Sequence, residues 1–402
     1  MRLLHTSDWH LGRSFHGHPT VPQLREVLAE LPKLVREHEV DAVLVAGDVF
    51  DHAAPAADLY AVLAEVIRGI REAGAVVVLS SGNHDNASRL GFQAEWAALG
   101  GVHVLAAPDA FRRPVRLTDE HGTVDIYGIP YLEPMLQRGL YPGEALREHH
   151  TLLARVTGEI AELRAARGGR AVAMAHCFAV ATAVDDNGQD PAVAEAAAGL
   201  QRDVTSGGLD LVPASVFAGF DYAALGHIHG RQRLAEGIRY SGAPLHLSFA
   251  EAGKPRGVWL VELGAAGLDA VTWLDLPVPR PLARLRGTLE GVLADPAHAP
   301  HEQDWVQVTL TDPVRPIDAM RRLRERFPFC AQLEFAPEGA PAKSTRSYAA
   351  RVERRPDIEV VDEFLQHVRA GEGASAEERA LLAEVLAAAG AAGSAGTEVK
   401  GN

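Results

Sequence analysis

Seven short apolar runs punctuate the first 230 residues of the chain, and five of them end in side chains fit to bind metal ions. The runs lie at 3–4, 42–46, 75–79, 102–105, 124–127, 171–175 and 222–225. Runs this short, bounded by glycine or polar residues, read as buried strands. Amphipathic stretches at 23–38, 57–72, 87–99 and 143–166 predict helices between them. Strand–helix alternation of this kind specifies an α/β layered fold.

The texture changes near residue 276. The proline-rich 276–281 segment reads as a stiff linker. Beyond it the pattern predicts strands at 282–290 and 305–311, a helix at 317–327 and a strand at 330–335, which together make a small α+β unit. Two helices are expected at 358–370 and 376–389, the second opened by a capping box of Ser375 and Glu378. The boundaries so drawn are 1–276, 277–355, 356–392 and a mobile tail at 393–402 rich in Ala, Gly and Ser.

Composition removes several classes of function. Apolar residues at 47% and charged residues at 23% exclude pervasive disorder. No apolar run approaches the roughly 18 residues of a membrane span, and the opening Met1–Asp8 stretch turns polar too early for a signal peptide. A cytoplasmic protein with no membrane association is expected. Cys177 and Cys330 form no C-x-x-C pair, which argues against a disulfide framework or zinc ribbon. The net charge of −14 argues against coating nucleic acid by bulk charge, while leaving room for a local basic path.

The polar groups cluster at the carboxyl ends of the runs, where ligands of open α/β sheets bind. These are Asp8 and His10, then Asp48, then Asn83 with His84 and Asp85, then His176, then His227 and His229. Asp8 and His10 are two apart, as are His227 and His229, so each pair projects to one side of extended backbone. Gly47, Gly82 and Gly226 precede the site residues and permit sharp turns and close approach. With Asp48 bridging, seven side chains give each of two ions four ligands. Such a pair, about 3.5–4 Å apart, clamps the attacking and leaving oxygens of a phosphoryl displacement. The nitrogen–oxygen mixture suits Mn, Fe or Zn better than Mg or Ca.

Any one of these residues has an ordinary structural reading. A lone Asp-x-His is a strand-end cap more often than a ligand, and His176 alone would be a buried, hydrogen-bonded histidine. Arg13, His16, His18, His149 and His150 read as surface residues, and Cys177 as core.

Together, Asp8-x-His10, Gly47-Asp48-x-x-Asp51, Gly82-Asn83-His84-Asp85, His176 and Gly226-His227-x-His229 resemble the calcineurin-like metallophosphoesterases. Thr6–Gly12 and Tyr240–Leu245 resemble, more narrowly, the bacterial SbcD family of nuclease subunits. The resemblance covers about residues 1–260 and implies a four-layer α/β sandwich, with 277–355 as a capping domain. It implies one divalent ion on Asp8, His10, Asp48 and His229, and another on Asp48, Asn83, His176 and His227, with Mn²⁺ as the metal. His84 would contact the scissile phosphate and help protonate the leaving oxygen, and Asp85 could hold its ring. Ala175 stands where the family carries glycine, and Asp51 and His52 depart from the pattern of archaeal relatives.

The resemblance implies a DNA nuclease acting in repair, replication and recombination. Its activities would be a 3′–5′ double-strand exonuclease and a single-strand or hairpin endonuclease. The implied partner is an SbcC-type ATPase, docked on the C-terminal helices, in a heterotetramer containing a homodimer of this chain. The alternative on the same scaffold is a small-molecule phosphodiesterase or phosphatase. A non-catalytic scaffold is disfavoured by the complete donor set with His84 beside it.

Overall fold

The computed structural model describes residues 1–165, 167–181, 211–337, 356–368 and 373–394. It divides into two compact units, 1–281 and 282–402.

The first unit is built on two six-stranded sheets. One runs in the order Gly267–Asp275, Gly257–Gly264, Arg2–Thr6, Ala42–Ala46, Val76–Ser80 and Val102–Leu105. Its last four strands are parallel and its first two antiparallel. The other runs Gln232–Ala235, Ile238–Tyr240, Tyr222–Gly226, Arg170–His176, Gly122–Ile129 and Val115–Asp119, with a parallel centre and antiparallel edges.

Alternation along each strand sorts the apolar side chains into layers. Leu3, Leu44 and Val78 join Ile126, Val172, Met174 and Ala224 in the core between the sheets. Leu4, Val43, Val45 and Val77 face outward and pack with Leu24, Val62 and Val66 of the helices Val21–Leu28 and Ala57–Glu72. On the far side, Tyr127, Ala173 and Leu225 pack with Leu152, Val156 and Ile160 of the helix His149–Ala165. The result is the expected four-layer sandwich of helix, sheet, sheet and helix. Because the central strands of both sheets are parallel, all the predicted site residues fall at one end.

Helix boundaries depart from the periodicity where backbone chemistry interrupts it. The stretch at 23–38 is two helices, Val21–Leu28 and Leu31–Glu37, because Pro32 cannot continue a helix through the break but suits a first turn. The stretch at 87–99 breaks at Gly91–Gln93, where Gln93 takes a φ of 67°. The helix expected from 143 begins at His149, after a turn in which Gly143 has a φ of 89°. Ala166, at the end of that expected helix, lies outside the described residues.

In the second unit, Leu282–Gly287, Trp305–Leu310 and Cys330–Phe335 form a parallel sheet. The helices Leu289–Ala294 and Ala319–Arg326 lie in its crossovers, around a core of Leu285, Val292, Val308, Leu323 and Phe327. The first strand stops at Gly287 because the Thr288 hydroxyl accepts from the amide of Gly291 at 3.1 Å and caps the following helix. The capping box forms as predicted: Ser375 and Glu378 exchange hydrogen bonds at 2.9 and 3.2 Å. The helix it opens extends to Ser394, and residues 395–402 of the expected tail lie outside the described residues. Among the described residues, no helix is long and apolar enough to cross a membrane.

At the end of the sandwich away from the site, buried Arg170 donates to the Asp119 carboxylate and to the carbonyls of Gly122, Leu263 and Gly264. That clasp joins the two sheets. Arg170 holds the Asp119 carboxyl well below the usual range. A depressed pKa contributes stability above the unfolded value, about 3.9, and loses it as pH falls through the folded value. Asp119→Asn should therefore lower the urea midpoint at pH 7. The gap from the parent protein should narrow as the medium is acidified toward pH 2, and a pH-independent gap would exclude this clasp as its source.

Candidate metal centre

Seven predicted donors converge at the carboxyl ends of the strands, four from one sheet and three from the other. Asp8 and His10 follow Arg2–Thr6, Asp48 follows Ala42–Ala46, and Asn83 follows Val76–Ser80. His176 ends Arg170–His176, while His227 and His229 follow Tyr222–Gly226. Asp8, His10, Asp48 and His176 are buried.

Asp48 lies at the centre. Its Oδ1 accepts from the backbone amide of His84 at 3.0 Å. Its Oδ2 is left facing His176 Nε2 at 3.3 Å and His10 Nε2 at 3.6 Å, one ring from each sheet. On one side, His10 Nε2 and His229 Nε2 stand 3.2 Å apart. On the other, Asn83 Oδ1 lies 3.0 Å from His176 Nε2 and 3.1 Å from His227 Nδ1. Two ligand atoms each about 2.1 Å from one ion stand about 3.0–3.4 Å apart at tetrahedral or octahedral angles. The observed separations fit that requirement, and the imidazole, carboxylate and amide donors suit a divalent metal.

Ligand atoms gather in three overlapping groups: Asp8 with His10 and His229, Asp8 with Asp48 and His176, and His10 with Asp48 and His84. The last places His84 nearer the donors than a purely phosphate-facing role requires. His84 Nδ1 donates to the carbonyl of Asp51 at 2.8 Å, which leaves Nε2 for the site.

Asp85 does not hold the His84 ring. Its carboxylate accepts from the amides of Val49, Phe50 and Gly82 at 3.0, 2.9 and 2.9 Å, tying two strand-end loops together. The expected orienting role falls to the Asp51 carbonyl instead, because the Asp85 carboxylate is already saturated by main-chain donors.

Close approach explains the glycines. A Cβ at Gly226 would lie 1.8 Å from the carbonyl oxygen of Ala46, and one at Gly82 would lie 2.1 Å from Asp48 Oδ1. Gly47 combines a φ of 80° with a position 2.2 Å from His176 Nδ1 for any added Cβ. Four donors themselves adopt left-handed backbone: Asp8 at 53°, His10 at 46°, Asp48 at 48° and His227 at 103°. Positive φ at residues other than glycine clusters at functional sites, where surrounding contacts must hold it. Here the amides of Asp8 and His10 donate to the carbonyls of Gly47 and Asp48 at 3.1 and 2.9 Å, and Asp8 Oδ1 accepts from the His227 amide at 2.9 Å.

Burial pushes both His227 and His229 down, His227 to about 3, so these rings are neutral and able to bind metal. Burial also disfavours the charged form of His176, but the facing Asp48 carboxylate outweighs it and raises the ring to about 9.

Asp51 apart, which the motif after Gly47 already carries, the supporting residues have no clear sequence signal. Asp51 places Oδ1 3.1 Å from His10 Nδ1 and 3.0 Å from Arg13 Nη1, the outer carboxylate that orients a ligating imidazole. Buried Arg256 donates to the carbonyl of His229 and to Glu251. His149 is buried rather than on the surface, packed 5.4 Å from the ring of Tyr131. The Tyr131 hydroxyl donates to Glu133, and its ring lies 6.4 Å from that of His176. No spacing rule joins such distant positions.

The calcineurin-like phosphoesterase family matches residues 1–231, and the SbcD_C family, described as type 5 capsule protein repressor C-terminal domain, matches 278–369. The chain belongs to the calcineurin-like phosphoesterases, in the branch of the SbcD nuclease subunits. It is 32% identical over 329 residues to the D subunit of the SbcCD nuclease of Escherichia coli K12, covering 78% of this chain and 76% of that one. The corresponding protein of Rhodobacter capsulatus is 37% identical over 303 residues, covering 71% of each chain. Membership makes the chain a metal-dependent phosphoesterase that uses divalent ions.

Two outcomes follow from this geometry. Gly226→Ala, which drives a methyl into the Ala46 carbonyl, should lower the melting temperature and abolish stoichiometric metal uptake measured by elemental analysis. Metal uptake by the chelator-stripped protein should release protons and tighten from pH 6.5 toward 9, because the ion must displace the proton on His176. Calorimetry in buffers of different ionisation enthalpy reads that release, and its absence would contradict the protonated ring.

Proposed function

We propose that this chain is the nuclease component of an SbcCD-type complex, hydrolysing phosphodiester bonds of DNA with two manganese ions. The observation that carries the reading is the meeting of donors from both sheets at Asp48 Oδ2. Asp8, His10, Asp48 and His229 would hold one ion, and Asp48, Asn83, His176 and His227 the other. Bound there, the ions would supply an activated water and positive charge to offset the charge developing on the phosphoryl oxygens.

The protein's own part is orientation and proton transfer. His84, its Nδ1–H fixed on the Asp51 carbonyl, would act as the imidazolium, passing its Nε2 proton to the leaving oxygen as the phosphorus–oxygen bond breaks and being left neutral. Asp51 sets the His10 ring, Arg256 anchors the His229 loop, and Asp85 fixes the loops that carry Asp48 and Asn83. Two carboxylates among the seven donors offset half the charge of two divalent ions. About two positive charges remain for an anionic diester and the charge its transition state develops.

Similarity to the SbcD subunits, together with the match at 278–369, supports DNA as substrate, through 3′–5′ exonuclease and hairpin-opening endonuclease activities. The domain division proposed is a nuclease domain at 1–276, a capping domain at 277–355 and docking helices at 356–392. An SbcC-type ATPase would dock on those helices, whose Phe364, Leu381 and Val385 are more than half exposed. A homodimer would complete the assembly, working in the cytoplasm.

The test is degradation of end-labelled linear duplex DNA in Mn²⁺, beside a chromogenic phosphodiester. The wild type should degrade the duplex, and His84→Ala should lose at least about 100-fold in rate with its metal content intact. Metal loss in that variant would remove the assigned role. Turnover of the small ester with DNA left intact, even after the ATPase partner is added, would make the protein a small-molecule phosphodiesterase.

A further inference from the structure

Three arginines gather on a hairpin that leaves the metal centre directly. The chain passes from His229 through Gly230 to Arg231, then pairs Gln232–Ala235 with Ile238–Tyr240. Arg233 stands directly opposite Arg239 in that ladder. Like charges across an antiparallel pair are destabilising unless something neutralises them. No carboxylate does: among the described residues, none of Arg231, Arg233 and Arg239 has an acidic oxygen within ion-pair distance. Their neighbours of opposite sign are occupied or oriented elsewhere. Glu236 contributes its carbonyl to Arg239 Nε at 3.2 Å, and Asp275 accepts from Trp273 Nε1 at 2.8 Å.

Aromatic faces hold two of the guanidinium groups in place instead, those of Arg231 and Arg239. Arg231 lies over Trp273 at 4.7 Å and Trp259 at 5.9 Å, and Arg239 lies over Trp259 at 4.5 Å. The two indoles meet edge to face at 4.8 Å, and Trp259 is fixed by donation from Nε1 to the Tyr240 carbonyl at 2.9 Å. Stacking of this kind orients an arginine without discharging it. Arg231 and Arg233 are exposed, while Arg239 is buried behind them.

The chain as a whole is acidic, with a net charge of −14, and several arginines of this unit engage carboxylates, as Arg2, Arg25, Arg112, Arg116 and Arg170 do. Two exposed arginines beside the metal centre, Arg231 held by stacking and Arg233 facing the buried Arg239, with no carboxylate partner among the described residues, call for a polyanion with regularly spaced charges. We propose that Arg231 and Arg233, the exposed arginines of this hairpin, form a track for the phosphodiester backbone of the DNA substrate, guiding the strand to the metal centre. The proposal rests on the nuclease reading above. It assigns the contacts to phosphates, so they position the strand without reading its sequence.

The test is binding of fluorescein-labelled duplex DNA by chelator-treated full-length protein, followed by anisotropy between 50 and 200 mM salt. Arg231→Ala combined with Arg233→Ala should weaken binding at least about tenfold at 0.1 M salt and reduce the salt slope by about two, one for each phosphate no longer neutralised. The weakening should be the same for unrelated duplex sequences. Arg25→Ala, on the helix Val21–Leu28, removes a charge far from the hairpin in sequence and should bind like the wild type. Thermal melting of each variant separates weakened DNA binding from unfolding, and Arg231→Gln with Arg233→Gln repeats the test should the alanines melt early. Binding by the double variant equal to wild type would overturn the track and leave the nuclease reading intact. Failure of the wild type itself to bind DNA would overturn both.

Discussion

The carboxylate of Asp48 stands between histidines of two different sheets, and the remaining geometry of this end of the sandwich is arranged to let it do so. One oxygen is committed to the His84 amide, so the other is the only part of the side chain free to face His10 and His176. Burying a carboxylate is unfavourable unless opposite charge or hydrogen bonds compensate. Here the surrounding rings outweigh burial and hold the group well below the usual carboxylate range. The sheets can approach this closely because Gly47 and Gly226 leave no Cβ in the gap, and Gly82 lets its own loop close on Asp48. A side chain at Gly226 would push the sheets apart at the Ala46 carbonyl, and one at Gly47 or Gly82 would strike His176 or Asp48 directly.

Left-handed backbone at Asp8, His10, Asp48 and His227 has the same origin. A strand that simply continued would send alternate side chains to opposite faces. Turning the chain at its last residue brings successive donors to one point instead. Asp and His tolerate that region better than branched residues do, and the cross-loop hydrogen bonds through Gly47, Asp48 and Asp8 offset the remainder. The donor residues are therefore constrained twice, once by their ligand atoms and once by their backbone.

Much of this is legible in the sequence because it depends on local pattern. Short apolar runs at 42–46 and 75–79, and polar residues at strand ends, identify the layers and the end of the sandwich at which the seven candidate donors gather. The strand-end position of Asp48 is readable. That its two oxygens divide between an amide and two rings is not, because the rings arrive from residues 38 positions before and 128 positions after it. Asp85 shows the limit clearly. Its neighbour His84 suggests a carboxylate–imidazole pair, yet three main-chain amides from two loops claim both oxygens. His149 reads as surface because the composition around it is polar, and its burial follows from where the helix starts. Helix breaks at Pro32 and Gln93 are hidden by a periodicity that continues across them.

The two ends of the sandwich solve the joining of the sheets differently, and that difference explains where chemistry is possible. At one end Arg170 spends both terminal nitrogens of its guanidinium on a carboxylate and three carbonyls. At the other, donor atoms face one another across about 3 Å with no such pairing. A hydrogen-bonded clasp can hold layers together but has little left to offer a ligand. Because the first end already joins the sheets, the second can keep opposed lone pairs, strained backbone and a hairpin of arginines with no carboxylate partner among the described residues.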